Sequence, residues 1–330
     1  MASTQQIKAR IKTVKNTRQI TKAMELVAAS KMRRAQEATV ASRDFTRTAQ
    51  AILMRLRELT DVSKHPLFVQ RAVATRILIV ITSDRGLAGA YNSNVLRRMT
   101  KELQDDRDND IHTQVILIGK QAARFGSKIE GIDVLGSYDH MPEKPTLQDL
   151  QPILDEVKRA FVDEKLIAEN AGIKIGKYHL PRLYTLSNED DDNGAFRDQS
   201  SKIQTPVIDA VDVLYTDFRS SVVQEVSLLR LLPAAFTEET VSPDLGRAIF
   251  EPNPKAVLDQ VAERLVDVQL WQAYLESQAS EQSSRMMAMK TASDNAGELI
   301  DDLTLAMNTA RQAAITQELA EITGGAEAIK

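Results

Sequence analysis

The first 65 residues contain neither glycine nor proline, and Lys255–Thr323 contain a single glycine, Gly297. In a helix interior proline costs about 3 kcal/mol and glycine about 1 kcal/mol relative to alanine. Their exclusion over such lengths predicts two uninterrupted helices at opposite ends of one chain, residues 1–65 and 255–330. Between them lies a glycine- and proline-bearing middle, residues 66–254. At 1.5 Å per residue the C-terminal helix would be roughly 100 Å long. A domain of this size is far smaller, so that helix must project. A chain that makes a rod from its two ends is a shaft or a lever.

The apolar positions of the first helix run Ile7, Ile11, Val14, Thr21, Met24, Ala28, Met32, Ala35. Steps of three and four define a narrow seam, not the broader stripe of a helix lying on a globular core. The last helix follows the same rule with Leu258, Val261, Leu265, Val268 and Leu275, then Met286, Met289, Ala296, Leu299, Leu303, Ala306, Ala310 and Ala313. Many seam residues are alanine, which lets two helices approach closely. Both helices join one central domain, so they are expected to pair antiparallel as a slim two-stranded coiled coil.

Charge supports that pairing. Residues 1–40 carry nine Lys/Arg against Glu25 and Glu37, a net +7, while residues 276–327 carry nine acids against Arg285, Lys290 and Arg311, a net −6. Opposite signs on flanking positions favour association and suppress like-with-like pairing. A nucleic-acid reading of the basic helix has less behind it. Phe45 is its first aromatic residue, and no base-reading motif follows.

The whole chain has a net charge of −4, which names no partner, and it has no cysteine. That removes disulfides, thiolate metal sites and cysteine nucleophiles, and it fits a reducing compartment. No apolar run approaches the ~20 residues of a membrane span, and no targeting segment is visible at the N-terminus. The chain is expected to be soluble, with any membrane association made through a partner.

In the middle, Arg76–Ser83 and Val115–Ile118 read as buried parallel strands. Leu147–Glu169 reads as a helix, Leu183–Ser187 as a strand, and Val211–Phe218 as an alternating strand. Strands interleaved with helices predict an open, Rossmann-like α/β sheet. Such sheets often bind nucleotides, but Gly86 and Gly89 give only a GxxG pattern. Gly119-Lys120 lacks both the upstream glycine and the Ser/Thr of a phosphate loop. Both are expected to be tight turns. His65, His112, His140 and His179 are scattered without metal-ligand spacing, and Ser83-Asp84 has no neighbouring histidine to complete a nucleophilic set. Glu189–Gly194 matches the first half of a calcium loop, but its twelfth position is Ser200 where a bidentate glutamate is needed. A polar surface insertion over 188–205 is the expectation there. No catalytic, cofactor or metal site is expected.

Three segments resemble the gamma subunit of F-type ATP synthases: IKARIKTVKNTRQITKAMELVAASKMRRAQ (Ile7–Gln36), ITSDRGLAGAYN (Ile81–Asn92) and SEQSSRMMAMKTASDNAGELIDDLTLAMNTARQAAITQELAEITGGA (Ser280–Ala326). The likeness spans the chain. It implies a rotor shaft, one copy per complex, whose coiled coil stands inside a ring of three alpha and three beta subunits. The α/β domain would sit at the foot, against the epsilon subunit and the membrane c-ring. Ion flow would turn ring and shaft together, and the asymmetric shaft would drive the beta sites through different nucleotide affinities.

By match to the family motif, Arg18, Lys22, Met24, Lys31 and Arg33 are expected to face the acidic lever segments of beta. For Met24, plain seam packing is an equal alternative. Arg285, Arg311 and Gln312 are expected to contact the catch regions of the ring. Ile315, Leu319 and Ile322 would form a tip turning in an apolar bearing. Asp84, Arg85, Gly86 and Gly89 carry the family loop. Ala88 stands where many members have cysteine, and the cysteine pair of light-regulated chloroplast members is missing, so neither thiol role carries over. The resemblance implies a place on the cytoplasmic face of a bacterial membrane. Two rivals stand beside it: a free-standing α/β enzyme with helical arms, and a coiled-coil scaffold that binds nucleic acid.

Overall fold

The computed structural model describes residues 4–62, 65–142, 144–162, 208–235 and 250–327. The expected strand Leu183–Ser187, the polar insertion 188–205 and the calcium-loop candidate lie outside the described residues. Helix α1 (Thr4–Leu59) and the last helix, α5 (Pro254–Glu327, 74 residues), are each unbroken. Helix α5 is about 110 Å long. The two pack antiparallel: Ile7 and Ile11, near the start of α1, meet Ile300, Leu303, Met307 and Ala310 of α5. At the other end Thr46 Oγ1 donates to Gln272 Oε1 at 2.9 Å, and Arg43 pairs with Glu276 at 3.0 Å.

The seam differs from its expected course on α5. Leu299, 47% exposed, and Ala306 and Ala313 face solvent, while Ala296 and Ile300 are buried and Leu303, Met307 and Ala310 half-buried. A period of 3.6 allows steps of three or four. From Ala296 the structure steps four, placing Ile300 between the helices and turning Leu299 out. On α1 the expected residues face the seam, with Ile7, Ile11, Ala28 and Ala35 buried and Val14, Thr21, Met24 and Met32 half-buried.

Between the helices lies a five-stranded sheet in the order β3-β2-β1-β4-β5. Its strands are β1 (Thr75–Ile81), β2 (His112–Ile118), β3 (Asp133–Tyr138), β4 (Ala210–Phe218) and β5 (Gln224–Leu232). The first four are parallel and β5 runs antiparallel to β4. Helices α2 (Tyr91–Asp108) and α3 (Lys120–Gly126) carry the chain from β1 to β2 to β3. They cover one face through Leu78, Val80, Val95, Met99, Val115 and Leu117. The opposite face, with Ile77, Ile79, Ile116, Ile118, Val211 and Val213, packs on α1, α4 (Gln151–Phe161) and α5. Val115–Ile118 and Arg76–Ile81 are continuous buried runs, as a sheet covered on both faces requires.

Two expectations change here. Strand β4 is buried on both faces from Ala210 to Leu214 and does not alternate, because α5 and α2 cover it from opposite sides. The helix expected from Leu147 begins as a 3-10 turn, Leu147–Leu150, because Pro152 enters the first turn of α4 and resets the start. At the entry of β1, buried Arg76 bridges Asp106 (2.6 Å), Glu102 (3.3 Å) and Asp212 (3.3 Å), tying α2 to the sheet.

Candidate functional site

The chain order of the sheet reverses at β1. Open α/β sheets bind their ligands at such a point, outside the carboxyl ends of the strands. Here the turn after β1 is built tightly. Asp84 Oδ1 accepts from the Lys120 amide at 3.0 Å and the His140 amide at 3.4 Å. The Ser83 amide donates to Asn92 Oδ1 at 3.1 Å, and Ser83 Oγ donates to Arg85 O at 2.7 Å. Gly119, at φ 95°, brings the β2 turn against it; a Cβ there would lie 2.2 Å from Thr82 O, so no other residue fits. Gly89, at φ 55°, lets the turn press on α5, with Ser284 O and Ala288 Cβ 3.7 and 3.8 Å from where its Cβ would be.

Helix α5 packs across the carboxyl end of β4, while the ends of β1 and β2 (Thr82, Ile118, Gly119) line an open cleft. Tyr91 Oη and Ser277 Oγ are 2.7 Å apart, Ser280 Oγ donates to Thr216 O at 3.1 Å, and Ser283 Oγ donates to Ser221 O at 2.8 Å. Ser284 Oγ donates to Gln224 Oε1 at 2.5 Å. One turn further, Arg285 donates to Arg85 O (3.1 Å) and Gly86 O (3.2 Å) and pairs with Glu281 at 2.6 Å. Burial pushes the Glu281 carboxyl up, and Arg285 opposes that shift. Small serines allow close approach while their hydroxyls satisfy the sheet's end carbonyls. Helix α5 thus closes the β4 side of the switch point and leaves the β1–β2 side open.

Arg285, expected to contact the catch regions of the ring, is buried against the Arg85–Gly86 turn. Leu87, in a left-handed conformation (φ 62°), is pushed outward and is 63% exposed. The serine row at 277, 280, 283 and 284 was a missed signal: polar residues at helical spacing on the core-facing side of an otherwise apolar seam.

The remaining expected contacts lie along the coil. Arg18, Lys22 and Arg33 are exposed on α1, and Lys22 pairs with Glu25 at 3.0 Å. Met24 and Lys31 are half-buried at an open cleft of about 1020 Å³ between α1, the family turn and α5, whose lining includes Trp271 and Tyr274. Arg311 and Gln312 are exposed on α5 beyond its contact with Ile7. Ile315, Leu319 and Ile322 follow on the same exposed stretch, 50%, 58% and 68% exposed.

His65 is buried at the foot, its Nδ1 accepting from the Leu67 amide at 3.2 Å and its Nε2 3.5 Å from Asp259; burial lowers its pKa to about 4. His112 and His140 sit beside Asp133 and Asp139 on the surface, and His179 lies outside the described residues. Among the described residues no group of three or more His, Cys, Asp or Glu could hold a metal ion, and no helix is long and apolar enough to cross a membrane.

A family model described as ATP synthase matches residues 3–329. The ATP synthase gamma chain of Xylella fastidiosa (strain M23) is 35% identical over 330 residues, covering 100% of both chains. That of Legionella pneumophila (strain Paris) is 34% identical over 332 residues, again covering 100% of both. A chain of the Euglena gracilis mitochondrial ATP synthase (OSCP/F1/c-ring, rotational state 3) has the same fold, with a TM-score of 0.59 and 15% identity over 99% of this chain and 94% of that one. A chain of the Tetrahymena thermophila central stalk/c-ring gives 0.54 and 21%, over 83% and 99%. A continuous match over the whole length, on a fold whose terminal helices pair and pack on one face of the sheet, assigns this chain to the ATP synthase gamma-chain family.

Proposed function

We propose that the chain is the central rotor shaft of an F-type ATP synthase, coupling c-ring rotation to ATP synthesis and hydrolysis at the beta subunits, with no catalytic site of its own. The observation that carries this is α5. It is fastened to the carboxyl end of β4 and to the turn after β1, and then leaves the domain as half of a coiled coil. Arg285 and the serine row fasten domain to shaft, so torque applied to the foot passes into the rod. The rod's two strands carry opposite net charge, so rotation presents each surrounding subunit with a changing potential. Differential binding free energy of this kind is what a state-switching partner must supply.

In this reading Arg18, Lys22, Met24, Lys31, Arg33, Arg311 and Gln312 contact the alpha-beta ring. Ile315, Leu319 and Ile322 turn in its bearing, and the α/β domain meets the epsilon subunit and the c-ring. Arg285 acts from inside by holding the Arg85–Gly86 turn. The units are residues 1–65, 66–254 and 255–330, and the assembly lies on the cytoplasmic face of the bacterial membrane. Native purification through a tag on this chain, with intact mass and ATPase assay, tests the reading. Three copies each of two nucleotide-binding subunits per copy of this chain support it. A lone chain that binds or turns over nucleotide overturns it.

A further inference from the structure

The one glycine inside α5 before its final turns, Gly297, lies where α1 crosses it, and its Cα is covered by an arginine. A Cβ built on Gly297 would meet Arg18 Cζ at 3.3 Å, Nη2 at 3.4 Å and Nε at 3.5 Å. Three guanidinium atoms at nearly equal distance mean that the planar group lies flat on the helix at this point. The 3.3 Å contact is tighter than a methyl group ordinarily keeps, and the other two are ordinary van der Waals contacts. Arg18 is exposed, so a methyl at 297 pushes the guanidinium outward by a few tenths of an ångström and leaves the helix intact. Glycine is otherwise disfavoured here, because alanine is the better helix residue and the three nearest atoms to the built Cβ all belong to that one side chain.

The surroundings give this arginine an electrostatic meaning. On a helix the neighbours of position 297 on the same face are i−3 and i+4, which are Asp294 and Asp301, both exposed; Glu298 and Asp302 follow. Among the described residues Arg18 forms no ion pair and no side-chain hydrogen bond. Its charge is delivered onto the acidic helix without being consumed by it.

We infer that Gly297 is a notch that positions Arg18 across the seam. The shaft thereby offers an uncommitted guanidinium, framed by its own carboxylates, to acidic groups of the surrounding ring. Gly297 is then a positioning residue for angle-dependent contact, and Arg18 is the group it positions. The functional half of this inference rests on the rotor reading; the positioning half does not.

The test is a double-mutant cycle on the full chain with Gly297→Ala, Arg18→Ala and both, read by hydrogen exchange of the α5 amides around position 297. Without Arg18, Gly297→Ala is expected to slow exchange about fivefold, the size of the glycine–alanine difference in helix propensity. With Arg18 present the gain is expected to be at most about half of that, because the guanidinium loses its seat. Equal slowing in both backgrounds overturns the notch. In the reconstituted complex, Gly297→Ala and Arg18→Ala are each expected to lower ion pumping per ATP hydrolysed, and the pair to do no worse than either alone. Unchanged pumping in both singles, with the exchange cycle still non-additive, overturns the functional half alone. Failure of the chain to assemble with a ring overturns the rotor reading, and the exchange cycle then decides the notch by itself.

Discussion

At the foot, α1 and α5 share a core with the sheet in which Leu53, Leu56, Leu265 and Leu270 are almost wholly enclosed; at the far end Ile7, Ile11 and Ile300 form a small buried cluster between the same two helices. The foot also fastens α5 by hydrogen bonds from Ser277, Ser280, Ser283, Ser284 and Arg285. The far end has side chains exposed on most of its circumference, and α5 runs on past α1 with Ile315, Leu319 and Ile322 uncovered. One end is built to hold, and the other leaves most of its side chains exposed.

Substitutions that remove equal volume will separate the two ends most clearly. Leu270→Ala, in a fully enclosed site, is expected to cost about 4 kcal/mol, whereas Ile300→Ala in the slim coil, which can close up around the loss, is expected to cost about 1–2 kcal/mol. Chemical denaturation of both variants checks this; equal losses would erase the distinction. Proline acts differently, since it breaks the rod wherever it falls: Met24→Pro or Leu303→Pro is expected to cost about 3 kcal/mol or more locally and to abolish ATP synthesis. Unchanged synthesis in either variant would sink the shaft model.

Next in size is the clamp. Arg285→Ala leaves the Glu281 carboxyl buried without its cation and two carbonyls of the family turn without their donor, at an expected cost of about 3 kcal/mol. Slower hydrogen exchange around Arg85–Leu87 in this variant would contradict the clamp. The foot is also expected to be acid-sensitive. His65 titrates near 4 in the fold against 6.5 in the unfolded chain. The unfolded state therefore binds the extra proton first, and stability falls as pH drops from about 6.5 toward 4, by about 3 kcal/mol. Asp259, whose carboxyl burial pushes up, opposes part of that loss. His65→Asn is expected to flatten the profile when urea midpoints are compared across this range. The smallest effect belongs to the tip: removing the last half-dozen residues is expected to change stability by under about 0.5 kcal/mol and to leave assembly and synthesis intact.

The rods were legible because helix breakers are missing over both spans, and that signal needs no tertiary knowledge. Strands β1 and β2 were legible because burial on both faces demands branched apolar runs. Strand β5 was not. Gln224–Leu232 mixes leucine, serine and arginine on a half-exposed edge, and its identity comes from pairing with β4. Strand β3 is short, contains Gly136 and is mostly exposed, so it carries no apolar pattern. At the site, Gly86, Gly89 and Gly119 marked the turns correctly as places of tight chain reversal. The inward turn of Arg285 was hidden, because a helical pattern places a charge on a face without saying that backbone carbonyls wait there. The choice of Ile300 over Leu299 was hidden for a related reason: either step keeps the period, and the facing helix decides.

The most direct test of the shaft immobilises the alpha-beta ring, attaches a visible probe to the α/β foot of this chain and adds ATP. Unidirectional rotation in three equal steps per turn, stopped when the foot is cross-linked to the ring, is the predicted result. Steady ATP hydrolysis by an assembly whose foot remains stationary and free of cross-links would contradict it.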